Sequence, residues 1–432
     1  MAELHERSAV ALADAIRQGE ASATEVVTSC LEAVADREGS LSAWAYLDPE
    51  LALAQARTLD ALDAPRGPLH GVPVGIKDII DTADQPTQYG SPIYEGHLPE
   101  RDAALVARLR AAGAVVLGKT VTTELAFFHP GPTSNPHDPT RTPGGSSSGS
   151  AAAVGAGTLP LAVGTQTAGS VVRPAAFCGV VGAKPTYGTV PTAGVKPCAE
   201  LLDTVGAFAR NAEDAALLLG VMAGRPERFV PAELGDRPRL GFCRTFDWDR
   251  IDPAVRDAVE AAVDRLAEAV EVVEIDLPPL FAGLVGSHEV IMEVEATRAL
   301  AQERRTQPQA LSETLREMLA RGERRVGEYE DALAHVTVCR ERLGELFAEV
   351  DAVVAPAVLS EPPPIEEGTA DPLLCRPWTA LGTPAVAVPG VTGPTGLPIG
   401  LQVVAPRGRD DVALGAAALV GELLEPGGPS AR

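Results

Sequence analysis

The stretch from Gly144 to Gly179, GGSSSGSAAAVGAGTLPLAVGTQTAGSVVRPAAFCG, constrains this chain more than any other. It carries two glycine-rich, serine-bearing loops, Gly144–Ser150 and Gly164–Ser170. Between them, Ala151-Ala152-Ala153-Val154 reads as a helix of small residues, and Leu159 to Val163 as a buried strand. A strand that runs into a glycine-rich loop and then a helix turns backbone N–H groups toward whatever binds there. A serine on such a turn can act as a nucleophile while neighbouring amides stabilise the oxyanion it creates.

Upstream lies Leu69-His70-Gly71-Val72-Pro73-Val74-Gly75-Ile76-Lys77-Asp78-Ile79-Ile80, an apolar strand with one lysine embedded in it. Alternation sets Lys77 and Ile79 opposite Ile76 and Asp78. Burial would favour the neutral amine of Lys77, since a base working near pH 7 must fall about 3 units, at a cost of about 4 kcal/mol. The competing reading is a lysine whose stem is buried and whose head reaches water.

Two motifs fail in context. Gly113-Ala-Val-Val-Leu-Gly118-Lys119-Thr120 fits a phosphate-binding loop, but a helix precedes Gly113 and the four intervening residues form a strand. Gly145-Ser-Ser-Ser-Gly149 fits a hydrolase nucleophile elbow, which requires an entering strand. Asn135-Pro-His-Asp-Pro-Thr-Arg-Thr-Pro143 cannot be one. The seven histidines show no context that would pair one with a serine.

The remaining chain alternates strand and helix, which argues for one large α/β layer structure rather than a string of domains. Ser22-Ala-Thr-Glu25 is a capping box that opens a helix. Helices are also expected over 52–62, 102–112, 213–222, 253–270 and 412–424, with a mostly helical, charge-rich interval over 287–350. Strands are expected over 180–187, 201–209, 239–244, 272–275, 351–356 and 385–388. Although 42 glycines and 37 prolines make the chain loop-rich, 45% hydrophobic residues supply a large core. A net charge of −23 argues against nucleic acid or an anionic membrane as general partners. The six cysteines form no C-x-x-C pair, which argues against a disulfide framework or zinc site. No secretory pattern and no apolar run of 18 residues is visible, so a cytoplasmic protein is expected.

Taken together, these blocks resemble the amidase signature family. The resemblance rests on GVPVGIKD (71–78), GGSSSGS (144–150), GTQTAGS (164–170), RPAAFCGVVGAKPTYG (173–188) and LLDTVG (201–206). WTALGTPAVAVPG and GLPIGLQVVAP continue it near the C-terminus. It implies a single domain over 1–432: a twisted mixed β-sheet with helices on both faces, and a signature core at about 65–225. It also implies a Ser–Ser–Lys triad on Lys77, Ser146 and Ser170. Ser170 is then the nucleophile, Ser146 the bridging serine after a cis Gly145–Ser146 bond, and Lys77 the base. The amides of Thr167, Ala168, Gly169 and Ser170 become the oxyanion hole.

No metal or organic cofactor is implied, and a homodimer is. The expected substrate is a small-molecule amide, with pocket walls from 287–350, Tyr89–His97 and Phe127–Pro136. The sequence departs from the commoner family pattern at Ser148, Gln166 and Ala168, and Arg173 stands three residues past Ser170 rather than two. That placement resembles the malonamidase-type branch, where the arginine serves a substrate carboxylate. Arg173 and Gln166 are therefore the candidate substrate-binding residues, with loop bracing as the alternative for Arg173. The resemblance also extends to the glutaminase component of tRNA-dependent amidotransferases.

Overall fold

Residues 3–235 and 237–425 are described by a computed structural model. Eleven strands form one sheet: β1 (Trp44–Leu47), β2 (Pro73–Lys77), β3 (Val115–Thr120), β4 (Leu161–Gln166), β5 (Val181–Lys184), β6 (Thr204–Ala209), β7 (Arg239–Phe242), β8 (Glu271–Glu274), β9 (Ala352–Pro356), β10 (Ala385–Val388) and β11 (Leu401–Val404). Their order is β1-β3-β2-β4-β6-β5-β10-β11-β9-β7-β8. The pairs β2–β3, β2–β4, β7–β8 and β7–β9 are parallel and the others antiparallel, so the sheet is mixed. The central strands are buried along their whole length, which is why they read as apolar runs rather than alternating ones.

The expected elements form, with boundaries set by local chemistry. Ser22 caps the helix Ala23–Leu41 through a reciprocal bond pair with Glu25. The helix expected from Ala52 begins earlier, at Pro49, because Asp48 accepts from the amides of Glu50 and Leu51 and proline suits the first turn. The interval 287–350 holds the helices Leu284–Ala299, Ala301–Thr306, Glu313–Arg324 and Tyr329–Leu346. The apparent phosphate loop is strand β3. Its Lys119 is fully buried and donates to Ile80 O at 2.6 Å and Thr87 Oγ1 at 2.6 Å. All six cysteines are buried free thiols. Among the described residues, no helix is long and apolar enough to cross a membrane.

Strands β2 and β4 run parallel, with Val74 beside Leu161 and Ile76 beside Val163. Their carboxyl ends therefore open at the same edge, the usual location of sites in α/β sheets. Lys77 is the last residue of β2, and β4 runs to Gln166, so the first three residues of the expected second loop, Gly164 to Gln166, are strand and the loop itself begins at Thr167. The helix Ser148–Gly155 packs beneath this edge without room to spare: a Cβ on Gly149 would lie 2.2 Å from the carbonyl oxygen of Ala43.

Candidate active site

Lys77 is fully buried, and its ammonium nitrogen lies 2.7 Å from Ser146 Oγ and 2.8 Å from Thr165 Oγ1. Burial pulls its pKa from 10.5 down to about 7, against the weaker opposing influence of Cys198 and Asp203. Two other lysines, Lys119 and Lys184, are as deeply buried, and the comparison is informative. Lys119 faces a carbonyl, a hydroxyl and, at 3.7 Å, the Asp78 carboxylate. Lys184 donates to the carbonyls of Pro185 and Thr383. Burial lowers the pKa of all three, Lys119 to about 8 and Lys184 to about 7. The difference lies in the partners: carbonyls and carboxylates only accept and cannot hand a proton back to a neutral amine. Lys77 meets two hydroxyls, either of which can donate back to a neutral amine.

The Gly145–Ser146 peptide is cis, and Ser146 is 2% exposed. Ser147 ties the two loops together: its Oγ donates to Thr165 O at 3.2 Å and accepts from Thr165 N at the same distance. Arg173 completes the link. It is 2% exposed and sits three residues past Ser170; its guanidinium donates to Gly145 O at 2.6 Å and Ala370 O at 2.8 Å. Ser170 is partly exposed, and its hydroxyl has no hydrogen-bond partner among the described residues. It borders a narrow cavity of about 20 Å³, together with Ala168, Arg173, Phe127, Phe128 and Met292.

The loop before Ser170 has its carbonyls clamped one after another. Thr167 O accepts from His288 Nε2 at 2.8 Å, Ala168 O from Thr379 Oγ1 at 2.7 Å, and Gly169 O from Arg173 N at 2.9 Å. In a trans peptide the carbonyl and the following N–H point in opposite directions. Each clamp thus turns the next amide, that of Ala168, Gly169 or Ser170, away from the clamping group. None of these three amides finds an acceptor among the described residues. Three unpaired N–H groups in succession beside an unpaired serine hydroxyl suit a negatively charged oxygen. Ala168 keeps a negative φ, so the methyl group costs no left-handed strain. Gly169 is required by contact: a Cβ there would lie 2.8 Å from Pro372 Cβ.

A family model described as amidase matches residues 25–414. The chain belongs to the amidase signature family. The A subunit of the glutamyl-tRNA(Gln) amidotransferase of Koribacter versatilis (strain Ellin345) is 36% identical over 448 residues, covering 90% of this chain and 93% of that one. A crystal structure of an amidase superposes with a TM-score of 0.88 at 32% identity, covering 95% of this chain and 98% of the other. A 6-aminohexanoate cyclic dimer hydrolase superposes at 0.86 with 28% identity, covering 98% of both. As a member of the amidase signature family the chain is an amide-hydrolysing enzyme, and its mixed sheet flanked by helices is the fold of that family.

Within this family framework, the structure brings Lys77 and Ser146 into contact and sets Ser170, Ala168 and Arg173 around one cavity. Gln166 is different. Expected at the substrate, it is fully buried, its Oε1 accepting from the amides of Val171 and Val172 at 2.9 and 3.0 Å. Its Nε2 donates to Thr379 Oγ1 at 2.9 Å. Gln166 braces the loop Thr167–Ser170 and the following helix, and the expectation of substrate contact is corrected. Thr167 also works inward through its side chain, donating to Asp203 Oδ1 at 2.6 Å. Of the expected pocket walls, Phe127, Phe128 and Met292 line the Ser170 cavity, whereas Gly90, Ser91, Pro92 and Glu95 line a separate one.

Sequence reading passed over Thr165, His288 and Thr379. Thr165 stood inside a quoted block; His288 is a lone histidine in the region where the resemblance is weakest, and no local signal marks it. His288 is fully buried, and burial beside Arg376 holds its pKa down at about 3, so it stays neutral at working pH. A carbonyl can only accept, so the ring hydrogen sits on Nε2. Replacing it by phenylalanine keeps most of the volume but releases Thr167 O. His288→Phe is expected to lower kcat at least about tenfold with KM changed less than about twofold, by analogy with loss of an oxyanion donor. Steady-state kinetics on any turned-over amide checks this; an unchanged kcat would show that the loop holds its shape without the histidine.

Proposed function

We infer that this protein hydrolyses a small-molecule amide through an acyl-enzyme on Ser170. In this reading the neutral amine of Lys77 takes a proton from Ser146, and Ser146 takes one from Ser170 as its oxygen attacks the carbonyl. The N–H groups of Ala168, Gly169 and Ser170, with that of Thr167 at the loop entrance, stabilise the tetrahedral oxyanion. Ser146 then returns a proton to the departing nitrogen. Water hydrolyses the ester by the same route in reverse. The observation that carries the proposal is the pairing of a fully buried lysine with two hydroxyls and, among the described residues, no carbonyl or carboxylate. That arrangement suits an amine that gives and accepts protons rather than one that stores charge.

Amides that also bear a carboxylate fit this site best. Arg173 lines the same narrow cavity as Ser170, and its Nε is buried without a partner although two of its other N–H groups are engaged. Burial holds its pKa down at about 10, still far above neutrality, so it remains a cation. Arg173→Lys retains the charge but loses the planar fork. The substitution is expected to lower kcat/KM about tenfold more for acid-bearing amides than for neutral ones of equal size, read out as ammonia release. Equal losses would assign Arg173 to loop bracing alone.

The similarity to the glutaminase component of amidotransferases favours a second reading, in which glutamine is the ammonia source for a partner protein. Steady hydrolysis of simple amides by the isolated chain supports the first reading; activity confined to glutamine supports the second. Homodimeric assembly, a cytoplasmic location and a single functional unit over 1–432 belong to the same proposal, with sedimentation as the test of assembly.

A further inference from the structure

A second pocket, of about 520 Å³, lies where the loop after β5, the end of the helix Ala212–Ala223 and the turn before the helix Asp410–Leu424 meet. It shares no residue with the Ser170 cavity. Four arginines line it, Arg108, Arg225, Arg228 and Arg407, and no acidic residue does. In a chain with 59 acidic and 36 basic residues, a lining drawn by composition alone would carry more acidic than basic residues.

One of the four charges is compensated. Arg228 is held by Asp410, with Nη2 at 2.9 Å and Nε at 3.1 Å. The guanidinium groups of Arg225 and Arg407 are exposed and meet no carboxylate or other acceptor among the described residues. Arg108 spends one N–H on the carbonyl of Met222, at 2.7 Å. A further arginine stands behind the wall: burial, and then the positive charge of Arg407, hold the pKa of Arg340 below its ordinary value. Like charges therefore converge here with a single carboxylate, that of Asp410, among them. The rim backbone is fixed: Gly408 adopts φ +89°, and its N–H donates to Thr186 Oγ1 at 3.0 Å.

We propose that this pocket binds a small phosphoryl-bearing ligand, held by the forks of Arg108, Arg225 and Arg407 and positioned by Arg228. Arginine forks match the oxygens of a phosphoryl group bidentately, and several can share one such group because it presents oxygens in several directions. The volume suits a metabolite-sized molecule. The polar lining, with little apolar wall, provides for a charged head more than for a carbon skeleton. The protein's overall negative charge repels anions at long range, so binding must come from this local cluster. The proposal needs nothing from the assignment of Ser170.

Pyrophosphate titrated calorimetrically into the full chain, at fixed ionic strength in chloride buffer, is expected to saturate at one per chain. The double variant Arg225→Gln/Arg407→Gln is expected to bind at least about tenfold more weakly, since each lost fork removes charge-assisted hydrogen bonds. Arg57→Gln, an exposed arginine outside the pocket, is expected to change nothing. Both pocket side chains are exposed, so the double variant should keep its thermal midpoint and its amide turnover without added ligand. Arg407→Lys, which keeps the charge, is expected to recover part of the loss. No saturable binding up to millimolar pyrophosphate would overturn the proposal, as would equal affinity in the double variant. Citrate bound as tightly as pyrophosphate would overturn the phosphoryl assignment.

Discussion

Ser170→Ala is expected to lower kcat by about 10⁴-fold or more, the loss typical of removing a catalytic nucleophile. Folding should be indifferent to the change. Ser170 is partly exposed, its hydroxyl makes no hydrogen bond among the described residues, and its role ends at the oxygen. The thermal midpoint is therefore expected to move less than about 2 °C, as for a surface substitution. Burst kinetics sharpen the test. An activated ester should give a stoichiometric burst with the wild type, as acyl-enzyme accumulates, and none with the variant. Turnover by the alanine variant near the wild-type rate would remove the proposed mechanism whatever the fold.

Lys77→Met carries the second large effect and a pH signature. Methionine fills nearly the same space but cannot accept a proton, so kcat should again fall by several orders of magnitude. In the wild type the competent form is the neutral amine. With burial holding Lys77 at about 7, kcat/KM should fall about tenfold per pH unit below that value and level off above it. The same shift has a stability sign. In the unfolded chain lysine titrates near 10.4, so between about pH 7 and that value the unfolded state binds more protons than the folded one. The contribution of Lys77 to stability is thus unfavourable at neutral pH and improves as pH rises through that window. Methionine abolishes the dependence, so Lys77→Met should unfold no earlier than wild type at pH 7. A pH-independent kcat/KM between 5 and 8 would contradict a base of this kind.

Removing buried polar partners should hurt in the opposite pattern. The three clamps on the Thr167–Gly169 carbonyls lie in different parts of the chain: the helix Leu284–Ala299, the helix Arg376–Leu381 and the helix that follows Ser170. Losing one frees a single peptide while leaving Ser170 and Lys77 in place. That predicts graded losses in kcat, in contrast to the abrupt ones expected at Ser170 and Lys77.

Much of this molecule was written in local sequence. Strands β2 and β4 appear as short apolar runs because both their faces are buried. The Ser22–Glu25 box states where a helix begins. The entry of a proline-rich segment before Gly144 excluded the hydrolase elbow without any coordinates. Lys77, Ser146 and Ser170 stood out as candidates because the ordered blocks around them resemble one family; on the residues alone, Lys77 could equally have been a lysine whose head reaches water.

What sequence could not decide was which buried groups face one another. Lys77 and Lys119 stand in similar apolar strands, and their roles diverge only because hydroxyls from Ser146 and Thr165 fold over one, while a carbonyl and Asp78 fold over the other. Gln166 sits in the signature loop and looks available, yet its amide is spent on Val171, Val172 and Thr379. His288 lies 121 residues from the carbonyl it holds. Local sequence thus determined the strands, the loops and the candidate reactive groups, since propensity and burial pattern act over a few residues. Tertiary structure alone decided which buried lysine meets hydroxyls and which amides stay free, because side-chain partners and a peptide's direction depend on groups that are distant in sequence.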